Sequence, residues 1–253
     1  MPNIRSVLPV LIILVIPLFL SRQTREAEVK LPLLNTPLLP VGRLGNDIPL
    51  TKALSYIGVY TQGNNTLFGI EVLLKQGKEP HVALDIPQDS TLRTALDQVV
   101  RQLPDYRYET ASEHLINVFP LSAKQNPNDL LNIRVTSFDV KDQPVAMLIT
   151  HPEMFVPELH ARLSTLRNVP PRTHTLGPGL GSGDPKISLH LQNVTVREIL
   201  NAVSVGTERF AEPYTPLGWV YTFEPDRSRY SWTFHWSVPK QRKQVEENSA
   251  NGS

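Results

Sequence analysis

Val82-Ala83-Leu84-Asp85-Ile86, followed by Thr91-Leu92-Arg93-Thr94-Ala95-Leu96-Asp97-Gln98-Val99, reads a second time as Ile187-Ser188-Leu189-His190-Leu191, followed by Thr195-Val196-Arg197-Glu198-Ile199-Leu200-Asn201-Ala202-Val203. Each copy opens with an alternating strand and continues into a helix that starts at a threonine. Thr, Arg and Leu fall at the same helical positions both times. In the first copy Leu92, Ala95, Leu96, Val99, Val100 and Leu103 form an i, i+3, i+4, i+7 stripe, and Val196, Ile199, Leu200 and Val203 match it. Such a stripe buries one helix face on a sheet. Upstream, Asp47-Ile48-Pro49 and Asp142-Gln143-Pro144 carry the same helix-start signal. The helix after the first has Ala53, Leu54 and Ile57 on one side, and Leu67 to Leu74 reads as a strand. Downstream come two more strands each time, Tyr106 to Thr110 with Leu115 to Phe119, then Trp219 to Phe223 with Tyr230 to Trp236. The expected fold is therefore α+β, with two repeated small βαββ-type modules in which helices pack on a sheet. The modules span 47–130 and 131–238.

The helix start with Leu54 and Ile57, the strand VALDI, the helix TLRTALDQVV and the hairpin YRYE with LINVF together resemble the secretin and TonB short N-terminal domain. The second copy, ISLHLQNVTVREILNAV with WVYTF and WTFHW, is the sharper match. What the resemblance implies is a periplasmic, non-enzymatic βαββ domain that signals or docks by contact with another protein. No β-barrel, plug or secretin pore follows within these residues, so transport and secretion are not carried over. The expectation is a stand-alone envelope protein.

Location is read from the N-terminus. Val7 to Leu20 is an apolar run of 14 residues without a polar side chain, preceded by Arg5 and followed by Ser21-Arg22-Gln23. As a helix it would reach about 21 Å at 1.5 Å per residue, short of the roughly 30 Å hydrocarbon core. Residues 1–21 are thus expected to be a signal peptide or a short membrane anchor, with membrane contact only through 7–20. Periplasm, or the periplasmic face of the inner membrane, is the expected location. Residues 22–46 show no sustained period and read as a Pro-rich tether. Between the modules, Leu131 to Val140 reads as a strand, and a helical region broken at His151-Pro152 resumes with Val156, Leu159, Leu163 and Leu166. The stretch 168–184, which includes GPGLGSGDP, reads as an exposed Gly/Pro-rich loop, and 239–253 as a polar tail.

The formal net charge of +1 provides no field to recruit nucleic acid, and the absence of cysteine removes disulfides, thiolate zinc sites and Cys nucleophiles. His151 and His160 flank Glu153 and Glu158 without the i, i+4 spacing of a helical metal pair. Gly179 to Gly183 fails the spacing of a nucleophile elbow, and no Lys-Ser/Thr follows to make a phosphate loop. Asp139 with Asp142 belongs to the second helix-start signal, and Glu246 with Glu247 to the polar tail. Asn64, Asn193 and Asn251 head glycosylation-type triplets, but Thr195 is better explained as a helix cap.

These readings give no enzyme, no cofactor and no metal, and a partner that is another envelope protein. The candidate binding residues are the three tryptophans of one hairpin, Trp219, Trp232 and Trp236. Exposed, they would make a platform for sugar rings or an extended peptide; buried under the helix bearing Ile199 and Leu200, they are core. A glycan-binding envelope protein using residues 219–236 is the alternative, and a hydrolase assembled from scattered residues is the second.

Overall fold

Among the described residues there are fifteen α-helices and strands: β1 (Gly42–Pro49), α1 (Leu50–Tyr60), β2 (Leu67–Leu73), β3 (His81–Ile86), α2 (Leu92–Gln102), β4 (Tyr106–Thr110), β5 (Leu115–Pro120), α3 (Leu121–Gln125), β6 (Arg134–Pro144), α4 (Val145–Thr150), α5 (Pro157–Thr165), β7 (Lys186–Thr195), α6 (Val196–Gly206), β8 (Leu217–Glu224) and β9 (Arg229–Trp236). They come from a computed structural model that describes residues 33–62, 66–166, 185–210, 217–224 and 229–236. The apolar run 7–20, the 168–184 loop, the 239–253 tail and the side chain of Trp236 lie outside the described residues. The class is α+β, as the element pattern requires. No described helix is long and apolar enough to cross a membrane.

A five-stranded sheet in the order β4-β5-β2-β8-β9 occupies the centre, and two antiparallel ribbons, β1-β3 and β6-β7, stand beside it. β2 runs parallel to both β5 and β8, while β4-β5 and β8-β9 are antiparallel. The sequence led to an expectation of a sheet for each half. Instead the β8-β9 hairpin of the second half joins β2 of the first. β2 permits this because its residues are buried on both faces up to Val72, the property of a central strand. Two glycines let the halves approach. A Cβ at Gly218 would run into the Phe68 carbonyl oxygen, and one at Gly69 into Asn117 Oδ1 and the Trp219 indole.

Each face of the sheet holds a core. On one, Phe68, Ile70 and Val72 of β2, Ile116 and Val118 of β5 and Val220 of β8 pack with Leu54 and Ile57 of α1 and Leu92, Leu96 and Val99 of α2. On the other, Trp219, Tyr221 and Phe223 of β8 and Trp232 of β9 pack with Ile199, Leu200 and Val203 of α6 and Leu148 and Ile149 of α4. Alternation along β8 puts Val220 on the face opposite Trp219 and Tyr221. It is buried because the first half's helices cover that side.

Three local readings differ from the structure. Asp47 and Asp142 do not start helices: both lie in strands, and α1 and α4 begin after Pro49 and Pro144 without a side-chain cap. The first helical N–H is satisfied instead by a distant carbonyl, Leu50 N donating to Pro80 O (2.9 Å) and Val145 N to Pro185 O (3.0 Å). Residues 33–46, read as part of a tether, contribute buried Leu33 and Leu38 and most of β1. Their apolar positions are spaced by prolines rather than by a regular period, which hid the strand. Leu130–Asn132 is a 3₁₀ turn and the strand that follows begins only at Arg134.

Candidate functional site

β3 with α2 and β7 with α6 can be compared residue by residue from helix cap to strand edge. Thr91 caps α2, its hydroxyl accepting from Thr94 N at 3.3 Å while Thr94 Oγ1 accepts from Thr91 N at 2.9 Å. Thr195 caps α6, accepting from Glu198 N at 3.2 Å, with Thr195 N donating to Glu198 Oε2 at 2.6 Å. Both are capping boxes, which fix where each helix begins relative to the strand before it.

From that start, Gln98 and Gln102 fall one turn apart on α2 and reach the outer edge of β3. Ala83 N donates to Gln102 Oε1 at 2.8 Å and Gln102 Nε2 donates to Ala83 O at 2.9 Å, so one side-chain amide takes the place of a neighbouring strand's peptide group. Asp85 N donates to Gln98 Oε1 at 3.3 Å. Both backbone groups of Ala83 and the N–H of Asp85 are therefore occupied from within the chain. An edge left open is a template for another strand, and this one is closed.

Counted from the capping threonine, the same positions of α6 hold Ala202 and Gly206, which have no side-chain amide to offer. Pro49 opposite His81 and Pro144 opposite Lys186 fix the equivalence of the two ribbons, placing Ser188 where Ala83 stands and His190 where Asp85 stands. The Pro185 carbonyl points toward α4 and the Lys186 carbonyl toward Arg209 Nη2 (3.4 Å), so the even-numbered residues of β7 turn their backbone groups outward. Among the described residues no side chain meets the outward N–H of Ser188 or His190. The side chains of these residues lie on the exposed face and are engaged by the neighbouring strand: Asp142 N donates to Ser188 Oγ at 3.0 Å, and His190 Nδ1 lies 3.4 Å from Asp139 Oδ2.

A second polar feature ties the halves together inside the molecule. Arg197 Nε donates to Glu71 Oε1 at 2.6 Å and Arg197 Nη1 to Asn132 Oδ1 at 2.6 Å, while Asn132 Nδ2 reaches the carbonyls of Asn126 (2.7 Å) and Ala123 (3.0 Å). Glu71 on β2 is 0% exposed and Arg197 on α6 is 6% exposed. Burial pushes the Glu71 carboxyl up to about 7, with the Arg197 hydrogen bond and charge pulling the other way. Asp129 nearby is also raised by burial. Glu71 Oε2, Arg197 Nη2 and Asn117 Oδ1 are buried without a partner among the described residues. Glu71 is shut off from solvent, and the cluster holds β2 against α6.

Trp219 and Trp232 are spent on the core. Trp219 is fully buried with its indole N–H donating to Asn201 Oδ1 at 2.9 Å, and Trp232 is 6% exposed, its ring 5.3 Å from that of Tyr221. Neither presents a face to a sugar ring. Four of the described histidines approach a carboxylate: His81 with Asp47 at 2.8 Å, His114 with Glu208 at 3.9 Å, His151 with Glu153 at 3.5 Å and His190 with Asp139 at 3.4 Å. No group of three or more metal-capable side chains occurs among the described residues. At the end of the β8-β9 hairpin a shallow cleft is lined by Leu74, Gly77, Thr222, Glu224, Arg229, Tyr230 and Ser231, with the hydroxyls of Thr222 and Ser231 bonded to each other.

Comparison with family models, curated proteins and solved structures finds no match to this chain.

Proposed function

We propose that this chain is a non-catalytic contact module of the cell envelope, built from two copies of a unit like the secretin and TonB short N-terminal domain. It binds another envelope protein by strand addition. The observation that carries this reading is the unequal treatment of two equivalent edges: Gln98 and Gln102 close β3, and Ala202 and Gly206 leave β7 open. The apolar run 7–20 supports export, and the resemblance supports contact as the mode of action. Burial of Trp219 and Trp232 removes support from the glycan-binding alternative.

Site-specific photo-crosslinking in cells tests the reading. A photoreactive residue at Ser188 is expected to give a discrete adduct in the envelope fraction, and one at exposed Arg93 on α2 is expected to give none. A soluble cytosolic protein without adducts would contradict it. So would reproducible turnover in hydrolase or transferase screens that a single His, Ser or carboxylate substitution abolishes.

A further inference from the structure

We infer that β7 takes an isolated extended segment of a partner polypeptide, with small apolar side chains laid over Ala202 and Gly206 and a carboxylate opposite Lys186. This rests on the contact reading and names the chemistry of the partner at that edge.

The chain shows on its own first half what such an edge accepts. Gln102 offers β3 a donor and an acceptor in one amide, as a strand's peptide group would. At β7 the amide is gone and so is its bulk. Gly206 is not required by the backbone, since its φ of −59° is ordinary helix. A Cβ there would sit 3.6 Å from Ile187 Cδ1, ordinary contact, so a larger residue is sterically acceptable. What the small pair provides is space beside the strand, where α2 places glutamines.

The same geometry argues against a second copy as the occupant. The last turn of α6 lies against the start of β7, as Gly206 beside Ile187 and Arg209 at the Lys186 carbonyl show. A two-fold β7-β7 pairing would set the strands about 4.8 Å apart. The two flanking α6 helices would need about 8–10 Å. A single extended segment meets no such obstacle.

Charge sets the side-chain preference. On the outward face of β7, His190 is paired with Asp139 and Ser188 with Asp142, while Lys186 and Arg209 are exposed and meet no carboxylate among the described residues. An acidic residue on the incoming strand at that end completes the row.

The test uses the full-length chain in detergent and a fluorescent synthetic peptide that alternates valine and threonine with one glutamate, beside a matched peptide carrying lysine instead. Anisotropy titration is expected to show the glutamate peptide binding about threefold more tightly, the size of a surface ion pair. The order should reverse in Lys186→Glu. Binding should be lost in Ala202→Gln/Gly206→Gln, which gives β7 the closure that β3 has. Should that double variant not fold, the Lys186→Glu reversal decides, because Lys186 is exposed. Peptide binding that ignores both changes, or no saturable binding, overturns the assignment to β7. The contact reading would then still stand or fall on the crosslinking at Ser188.

Discussion

The ribbon β1-β3 with α2 and the ribbon β6-β7 with α6 are built alike and finished differently. Each has an antiparallel pair, a carbonyl before the second strand that satisfies the first N–H of a helix, and a threonine capping box. At the two helix positions that serve the strand edge in the first ribbon they differ, Gln98 against Ala202 and Gln102 against Gly206. A strand edge has unpaired donors and acceptors whether or not it has a use, and proteins usually cover them. That one edge is covered from its own helix while its equivalent is not makes the difference informative in a way that a lone open edge is not.

The largest test of the comparison separates the two halves. Arg197→Met leaves Glu71 buried and unpaired, and should cost about 3–5 kcal/mol of unfolding free energy near pH 8. Glu71→Met/Arg197→Met should recover much of that loss, since the pair carries its own desolvation cost. The pH dependence has a defined sign. Glu71 is raised from 4.5 to about 7 in the folded state, so its contribution to stability is full below pH 4.5 and is lost as pH rises through about 7. Urea melts of Glu71→Gln should therefore fall less steeply with pH than wild type across that window. A steeper fall would mean the carboxyl is not raised.

Next in size are Leu96→Ala and Leu200→Ala, both at fully buried positions on opposite faces of the shared sheet. Each should cost about 2–5 kcal/mol. Both should move a single cooperative transition, because β2 and β8 are hydrogen-bonded neighbours. Two separable transitions in denaturant, each answering to one variant, would show that the halves fold as independent modules. Thr91→Ala and Thr195→Ala should each cost about 1 kcal/mol as lost caps, measured in the same melts. Unequal losses would show that the two helix starts are less alike than their bonds imply.

The smallest effect is also the most specific to the edges. Gln102→Ala should cost about 0.5–1.5 kcal/mol. It should also speed hydrogen exchange at Ala83, whose N–H it leaves open, while Ser188 is unchanged.

Much of the secondary structure was legible because two periods carry it. The i, i+3, i+4 stripes placed α2 and α6, and alternation placed β3, β7 and the two hairpins. The threonine at each helix start identified the caps. Other features needed three dimensions. β1 has no alternation that survives its two glycines and its proline, and its partner lies beyond α1 and β2 in the chain. Asp47 and Asp142 look like caps in one dimension because Asp before Pro is a common helix start; the carbonyls that do the work belong to Pro80 and Pro185. The shared sheet was invisible because nothing in WVYTF says which strand it joins. The one available signal was Glu71 in the middle of the apolar run LFGIEVL, a charge that burial would force to find a partner. Arg197 was equally visible, but Arg93, its counterpart, is exposed, so the recurrence of Arg did not distinguish them. The glutamines that close β3 fall one turn apart on an outward helix face, where they read as ordinary surface.

Amide hydrogen exchange on the full-length chain, resolved to single residues, tests the central contrast most directly. The N–H groups of Ala83 and Asp85, held by Gln102 and Gln98, should exchange slowly, and those of Ser188 and His190 much faster, at positions that are equivalent in the two ribbons. Equal protection of Ser188 and His190 in the isolated protein would mean that the β7 edge is already filled, and would contradict the account.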